Sequence, residues 1–300
     1  MMPEVLFYGL TLLCFSLNLA SDYRVQAMPL DEANLGGVVN GPKLYPSESS
    51  PRVKHSAGYY LGFDKLYHGA KATISVYGIP DIKPDQSSAA AIWLSNTDAG
   101  GLLNEIVIGW HVHPSLYNDT KTHLFALWTT DGYKTSCYNL ACGVFVSFDP
   151  KKFTLGSVID EVSTYGGQQH DITLRIHKDK YAGNWWVSYG PSGEPDDLTP
   201  VGYLPGSIFQ SLINNASVVI FGGRTAYPQG SSGPAMGSGH FPSEGWKKAA
   251  LFENIKAVGE DFRFYPPDGA VPFRDKQDCY DVGDLRKSKF FFGGPAGCVK

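Results

Sequence analysis

The chain is short of charge and of long apolar runs. Asp, Glu, Lys and Arg make up only 18% of its 300 residues, and the formal net charge is −4. Without a basic excess there is no electrostatic footprint for nucleic acid, which is not expected as a partner. A single apolar stretch stands out, VLFYGLTLLCFSLNLA at 5–20. It falls short of the roughly 20 residues a spanning helix needs, and no second run of that length follows. It reads as the core of a secretory signal ending at Ala20, although MMPE gives the n-region no Lys or Arg. The mature protein is expected to be extracellular, with no membrane span once the signal is cleaved.

Cofactor and nucleophile motifs are missing too. The 34 glycines form no phosphate loop and no dinucleotide fingerprint, and no serine sits in G-x-S-x-G. No cofactor is expected. Cysteine is sparse: Cys14 falls in the signal, leaving Cys137, Cys142, Cys279 and Cys298. An even number in a secreted chain reads as a disulfide framework, with three pairings open from the sequence. The absence of any C-x-x-C speaks against a zinc site. His111 and His113 would share one strand face, but no third ligand accompanies them, so they read as a polar face and no metal is expected. Two acceptor sequons begin at Asn118 and Asn215, the second just before an apolar run and so read as an exposed turn.

What is plentiful is Gly, Pro, Tyr and Phe. From residue 70 onward the segments 71–78, 105–113, 123–130, 143–149, 170–177, 184–190 and 217–223 are rich in β-branched and aromatic residues. Turn formers such as 131–132 (DG) and 166–167 (GG) separate them. Only 205–213 (PGSIFQSLI) reads as a short helix, with proline near its start. The pattern predicts an all-β fold, an antiparallel β-sandwich of two packed sheets with long loops and one short helix. Residues 1–20 form the signal, 21–66 an extended leader without sustained period, and 67–300 the sandwich domain. There is no internal repeat.

Two strings carry more specific information. Residues 104–110 are NEIVIGW and residues 221–225 are FGGRT. They resemble the active-site segments of the neprosin family, secreted plant glutamic peptidases that cut after proline. The family patterns are close to N-x-I-E-x-G-W, sometimes with Q for the E, and W-G-G-E-V. Further segments follow in the family's order: SSAAAIWL (87–94), GWHVHPSLYND (109–119), LFALWTTDGY (124–133), CYNLAC (137–142), GNWW (183–186), VGYLP (201–205), MGSGHFPSEG (236–245), CYDV (279–282) and FGGPAGC (292–298). The resemblance runs from about Tyr67 to the C-terminus. It implies a two-sheet sandwich and favours the local pairings Cys137–Cys142 and Cys279–Cys298. Many such precursors carry a sizeable prodomain, for which residues 21–66 leave too little chain.

The resemblance also implies a catalytic glutamate at each of two positions, and here those positions hold Val107 and Arg224. A glutamic peptidase needs one ionised carboxylate to take a proton from water and a second carboxyl group, protonated, to polarise the scissile carbonyl. Valine cannot accept a proton, and arginine stays protonated at any relevant pH. Neither anchor can slide, because no gap separates Asn104 from Gly109-Trp110 or Gly222-Gly223 from Arg224. Glu105 would share a strand face with Val107 and is the substitute acid to consider, its Cα about 6.5 Å away at ~3.3 Å rise per residue. Its plainer reading is a solvated strand start or an ion-pair partner of Arg224. Glu244 reads as a structural loop residue, and His240 as hydrogen-bonded within its own loop. Trp110, Trp128, Arg224 and His240 are candidates to line the old cleft. Trp185 and Trp186 must point to opposite sheet faces.

The resemblance thus implies a secreted or apoplastic neprosin-domain protein that is catalytically impaired and binds a peptide, proline-rich peptides included, or an extracellular polymer. One alternative is an active glutamic endopeptidase cleaving after proline at acidic pH. A further alternative is an extracellular carbohydrate-binding module, whose signature would be exposed aromatics.

Overall fold

The computed structural model describes residues 51–62, 65–191 and 196–299. The signal segment and most of the leader lie outside the described residues. In chain order the first strands are β1 (Arg52–Leu61), β2 (Gly69–Ser75), β3 (Ser87–Thr97), β4 (Leu103–Val112), β5 (His123–Thr129), β6 (Cys137–Tyr138), β7 (Val146–Ser147) and β8 (Asp171–Lys178). They continue as β9 (Trp185–Gly190), β10 (Thr199–Leu204), β11 (Val218–Pro228), β12 (Ala250–Val258), β13 (Phe264–Tyr265), β14 (Val271–Arg274), β15 (Asp281–Val282) and β16 (Phe290–Gly293). One four-residue helix, α1 (Pro114–Tyr117), follows β4.

The strands form two antiparallel sheets. The first has the order β14-β1-β11-β3-β4-β5-β6. The second has the order β15-β16-β12-β2-β8-β9-β10-β7, with β13 paired to β12. Period-two alternation gives each strand one apolar face, and the two apolar faces meet. Ile92, Ile108 and Phe221 from the first sheet share one buried cluster with Ile74, Leu174 and Phe252 from the second. This is the predicted sandwich. Both disulfides form as the resemblance implied, Cys137–Cys142 and Cys279–Cys298.

Four local expectations are corrected. The leader was expected to reach residue 66, yet β1 lies within it and pairs along its whole length with β11. Val53, His55, Ala57, Tyr59 and Leu61 do alternate inward. His55 and Ala57 hide that alternation from a hydrophobic pattern, and His55 Nε2 is hydrogen-bonded to the Tyr227 hydroxyl at 3.0 Å. Segment 143–149 contributes only the two residues of β7. Asn215 is half-buried and not an exposed turn, its backbone carbonyl accepting from the Asn96 amide at 2.9 Å.

The fourth correction concerns 205–213, which is a single 3₁₀ turn at Gly206–Ile208. A helix there would direct the N–H groups of Gln210 and Ser211 to its own carbonyls. Both donate instead to Asn104 Oδ1, each at 2.8 Å. Asn104 is fully buried, and its Nδ2 donates to the Thr130 carbonyl at 2.8 Å and to Gln210 Oε1 at 3.2 Å. The motif asparagine thus ties two loops to the start of β4. Replacing it strands several polar groups, each costing about 1–3 kcal/mol when buried and unpaired. Asn104→Ala is therefore expected to lower the urea-unfolding free energy by about 3 kcal/mol or more, and a loss below about 1 kcal/mol would contradict this role.

Candidate functional site

In β4, Ile106, Ile108 and Trp110 point into the core, so Glu105, Val107, Gly109 and His111 face the outside of the first sheet. In β11, Phe221 points inward, so Ile220, Gly222 and Arg224 face outward. Val107 and Arg224 therefore lie on one face, as two members of a site must. Strand β3 separates them. Trp93 pairs with both Val107 and Ile220, and Ala89 pairs with both Arg224 and His111.

Between these two rows runs a row of small residues, Gly58, Gly222, Ala91 and Gly109, in register across four strands. The backbones approach closely here. A Cβ built on Gly109 would lie 2.1 Å from the Ala90 carbonyl oxygen, and one on Gly222 would lie 2.5 Å from that of Ala57. Backbone, unlike a flexible side chain, cannot give way, so these motif glycines are required by sterics. A long side chain on either flanking row can cross this low floor. Arg224 does so: its guanidinium carbon sits 5.0 Å from the Trp93 ring centroid, a cation–π contact. Its Nε donates to Ser56 Oγ at 3.2 Å, and it forms no ion pair among the described residues.

Valine cannot make that reach. Val107 is 1% exposed and packs with Ala91, Trp93, Phe125, Leu127 and Tyr133. Glu105 is also 1% exposed and accepts a hydrogen bond from the Tyr133 hydroxyl. Both plainer readings of Glu105 are corrected: it is not solvated, and it is not the partner of Arg224. Arg224 is in register with His111, six positions along β4 from Glu105, which is roughly 20 Å at ~3.3 Å per residue.

The remaining candidates divide. Trp110 and Trp128 are core residues, corrected from cleft candidates, and the Trp110 indole N–H donates to the Ser75 carbonyl at 2.9 Å between the sheets. His240 is hydrogen-bonded within its loop, as expected, to Glu244 at 2.8 Å, and it stacks on Tyr165 at 4.1 Å. None of its contacts is with Val107, Arg224 or Trp93, so it does not belong to this face. Glu244 bridges His240 and the Tyr165 hydroxyl. Trp93 is the site residue that sequence reasoning missed. It sits in IWL, where it looks like one more core residue, and only the outward phase of the strand reveals it.

His111 and His113 do stack on one face, with ring centroids 5.7 Å apart. Among the described residues no group of three or more His, Cys, Asp or Glu converges on a metal position. The Tyr117 hydroxyl accepts from the Asn139 amide at 2.9 Å and is hydrogen-bonded to His111 Nε2 at 2.7 Å. Burial, and next the neighbouring His113 and His123, hold the His111 pKa well below the usual imidazole range.

A family model described as Neprosin matches residues 84–295. The chain belongs to the neprosin family. Solved structures similar to it include scytalido-glutamic peptidase with a transition state analog inhibitor, at 9% identity and a TM-score of 0.45, covering 81% of this chain and 98% of that one. Another is SCP-B, a member of the Eqolisin family of peptidases, in a complex with the tripeptide Ala-Ile-His, at 8% identity and a TM-score of 0.44, with the same coverage of 81% and 98%. Val107 and Arg224 both lie within the matched residues.

A lowered imidazole pKa means that the unfolded chain binds the proton first, so folded stability falls as pH drops below about 6.5 and continues to fall toward the folded-state value. At the site itself, the His111 ring is expected to stay neutral from pH 7.5 to 5. Its Cε1–H resonance should not move across that range, and a midpoint near 6.5 would contradict the burial-driven shift.

Proposed function

We propose that this neprosin-family protein is a disabled glutamic peptidase that is secreted and acts by binding a peptide or extracellular polymer. The observation that carries this reading is the pair Val107 and Arg224. One position is a buried aliphatic side chain, and the other is a cation lying over Trp93. No water can be activated between them, because neither group takes a proton from it. Loss of a single positioned acid–base group costs roughly 10²–10⁴ in rate, so loss of both leaves no meaningful turnover.

What survives is a face that can hold a ligand. The guanidinium of Arg224 keeps its terminal N–H groups unpaired among the described residues, on a floor of small residues beside Ser56. Its charge favours an acidic group on the ligand by direct Coulomb attraction. The two disulfides suit an oxidising compartment and support secretion. Sequons at Asn118 and Asn215 would then be open to glycosylation.

The second reading, an active endopeptidase cutting after proline, has one observation in its favour. Glu105 places a carboxyl group on the same face as Val107, held by Tyr133. It is sealed from solvent, which denies it the attacking water.

Restoring the family groups tests the proposal. Arg224→Glu combined with Val107→Gln or Val107→Glu would be assayed on proline-rich peptides between about pH 3 and 7. The glutamine variant avoids burying a charge, which costs several kcal/mol. Cleavage at least about 100-fold above the unmodified protein is expected in one of the folded double variants. No gain in either folded double variant would contradict a cleft that lost only its chemistry.

A further inference from the structure

The second sheet also has an outward face, and it carries cations that no part of the proposed function uses. Lys71 on β2 lies between the core residues Ala70 and Ala72. Arg175 on β8 lies between Leu174 and Ile176, and Lys256 on β12 between Ile255 and Ala257, all four in the core. The three cations therefore point outward. They are also in register, Lys256 with Lys71 and Lys71 with Arg175. At ~4.8 Å between strands they form a row about 10 Å long. Like charges facing one another on neighbouring strands destabilise a sheet, so packing alone gives no reason for this row.

The cations outnumber the anions against them. Lys71 has a counter-ion: its Nζ donates to Asp196 at 2.6 Å, and that carboxylate is 90% exposed. Lys256 is exposed and forms no ion pair among the described residues. Arg175 is half-buried, its Nη2 donating to Ser188 Oγ at 3.3 Å and its Nε without a partner among the described residues. Burial pushes the Arg175 pKa down, and no carboxylate offsets the push. In the next row burial, then Arg175, brings the His177 pKa to about 4, so that ring is neutral. Its Nδ1 is likewise without a partner among the described residues. Glu253, the acidic residue of β12, is taken by Lys289 at 3.1 Å. Past the sheet edge at β7, exposed Lys151 and Lys152 stand against Asp149. This face is thus locally positive in a chain whose formal charge is −4.

We propose that the row Lys256–Lys71–Arg175, with Trp186 and Tyr203 beside it, is a binding site for an acidic polysaccharide, a chain of uronic acid residues. Three features select this occupant. First, Asp196 shows the group the row accepts: a carboxylate sits on the middle cation, and the cations on either side lack one. The guanidinium fork of Arg175 matches a carboxylate in shape as well as charge. Second, a row about 10 Å long is more than one small anion can fill, and it suits a polymer with a carboxylate on every residue. Third, ring surface adjoins the cations. Trp185 is in the core, so Trp186 points outward, and it is in register with His177 on one side and Tyr203 on the other. Arg175 is in register with Ser188, which makes Trp186 its diagonal neighbour at ~7 Å, within reach of both long side chains. The Trp186 and Tyr203 rings, with centroids 4.8 Å apart, offer apolar surface to the C–H face of a pyranose, which an acidic peptide would leave unused. The row lies on the opposite sheet from Val107 and Arg224, so it goes beyond the binding proposed there and does not rest on it.

The test is fluorescence anisotropy of an end-labelled oligogalacturonate with the full mature chain. Binding is expected, and the methyl-esterified oligomer, which keeps the sugar rings and loses the charge, should not bind. Arg175→Gln should weaken binding by about tenfold or more, the loss expected of a hydrogen bond to a charged group. Lys256→Gln, at an exposed position that does not endanger folding, should weaken it about threefold. Lys121→Gln removes an exposed cation from the loop before β5 of the first sheet and should change nothing. The proposal is overturned if the unmodified protein does not bind oligogalacturonate, or binds the esterified oligomer as well. It is equally overturned if neither Arg175→Gln nor Lys256→Gln reduces binding, or if Lys121→Gln reduces it as much as they do. Loss of binding in Arg224→Gln but not in Arg175→Gln would place the polymer on the first sheet and overturn it, and so would tighter, Arg175-dependent binding of polyglutamate, which would make the ligand an acidic peptide.

Discussion

The outward face of the first sheet depends on one steric constraint, the close backbone approach along Gly58, Gly222, Ala91 and Gly109. No side chain beyond Cβ can stand on Gly109 or Gly222 without moving a neighbouring strand. The row is therefore a floor, and the residues that flank it are the ones that can meet across it. Register then decides which they are: Arg224 with Ala89 and His111 on one side, Val107 with Trp93 on the other. The geometry of a two-residue site is preserved by backbone sterics, independently of which side chains occupy it.

On the proposed reading, that separation of scaffold from chemistry explains how both acid–base positions could change without loss of the fold. Val107 completes an apolar cluster with Trp93, Phe125 and Leu127, and Arg224 covers Trp93. A carboxylate at 107 would meet a burial penalty that valine does not, so the present pair suits stability where a catalytic pair would strain it. The glycines and Asn104 remain because they serve the sheet and the loops packed on it. On the proposed reading, the resemblance to the family is kept in residues whose roles are structural, and the departures fall where the chemistry would be.

Much of this was legible in the sequence. Alternation and turn residues pointed to the two-sheet sandwich, and the two strings NEIVIGW and FGGRT singled out Val107 and Arg224. The misses have physical causes. β1 was hidden because His55 and Ala57 occupy inward positions that a hydrophobic pattern expects to be larger or less polar. The helix expected at 205–213 fails because a distant side chain, Asn104, takes the N–H groups a helix would need. Trp110 and Trp93 exchange roles because a tryptophan on a strand gives no sign of which face it occupies until the register is fixed. Glu105 looked like a solvated strand start, and the loop that brings Tyr133 over it is a contact 28 residues away in the chain.

The central claim is that the outward face of the first sheet has lost proteolysis. The most direct measurement is mass spectrometry of a proline-containing peptide library incubated with the unmodified mature protein from about pH 3 to 7. If the site is disabled, the library stays intact at every pH. Cleavage after proline that disappears in a folded Glu105→Gln variant would contradict it, and would show that the buried carboxylate beside Val107 has taken over the reaction.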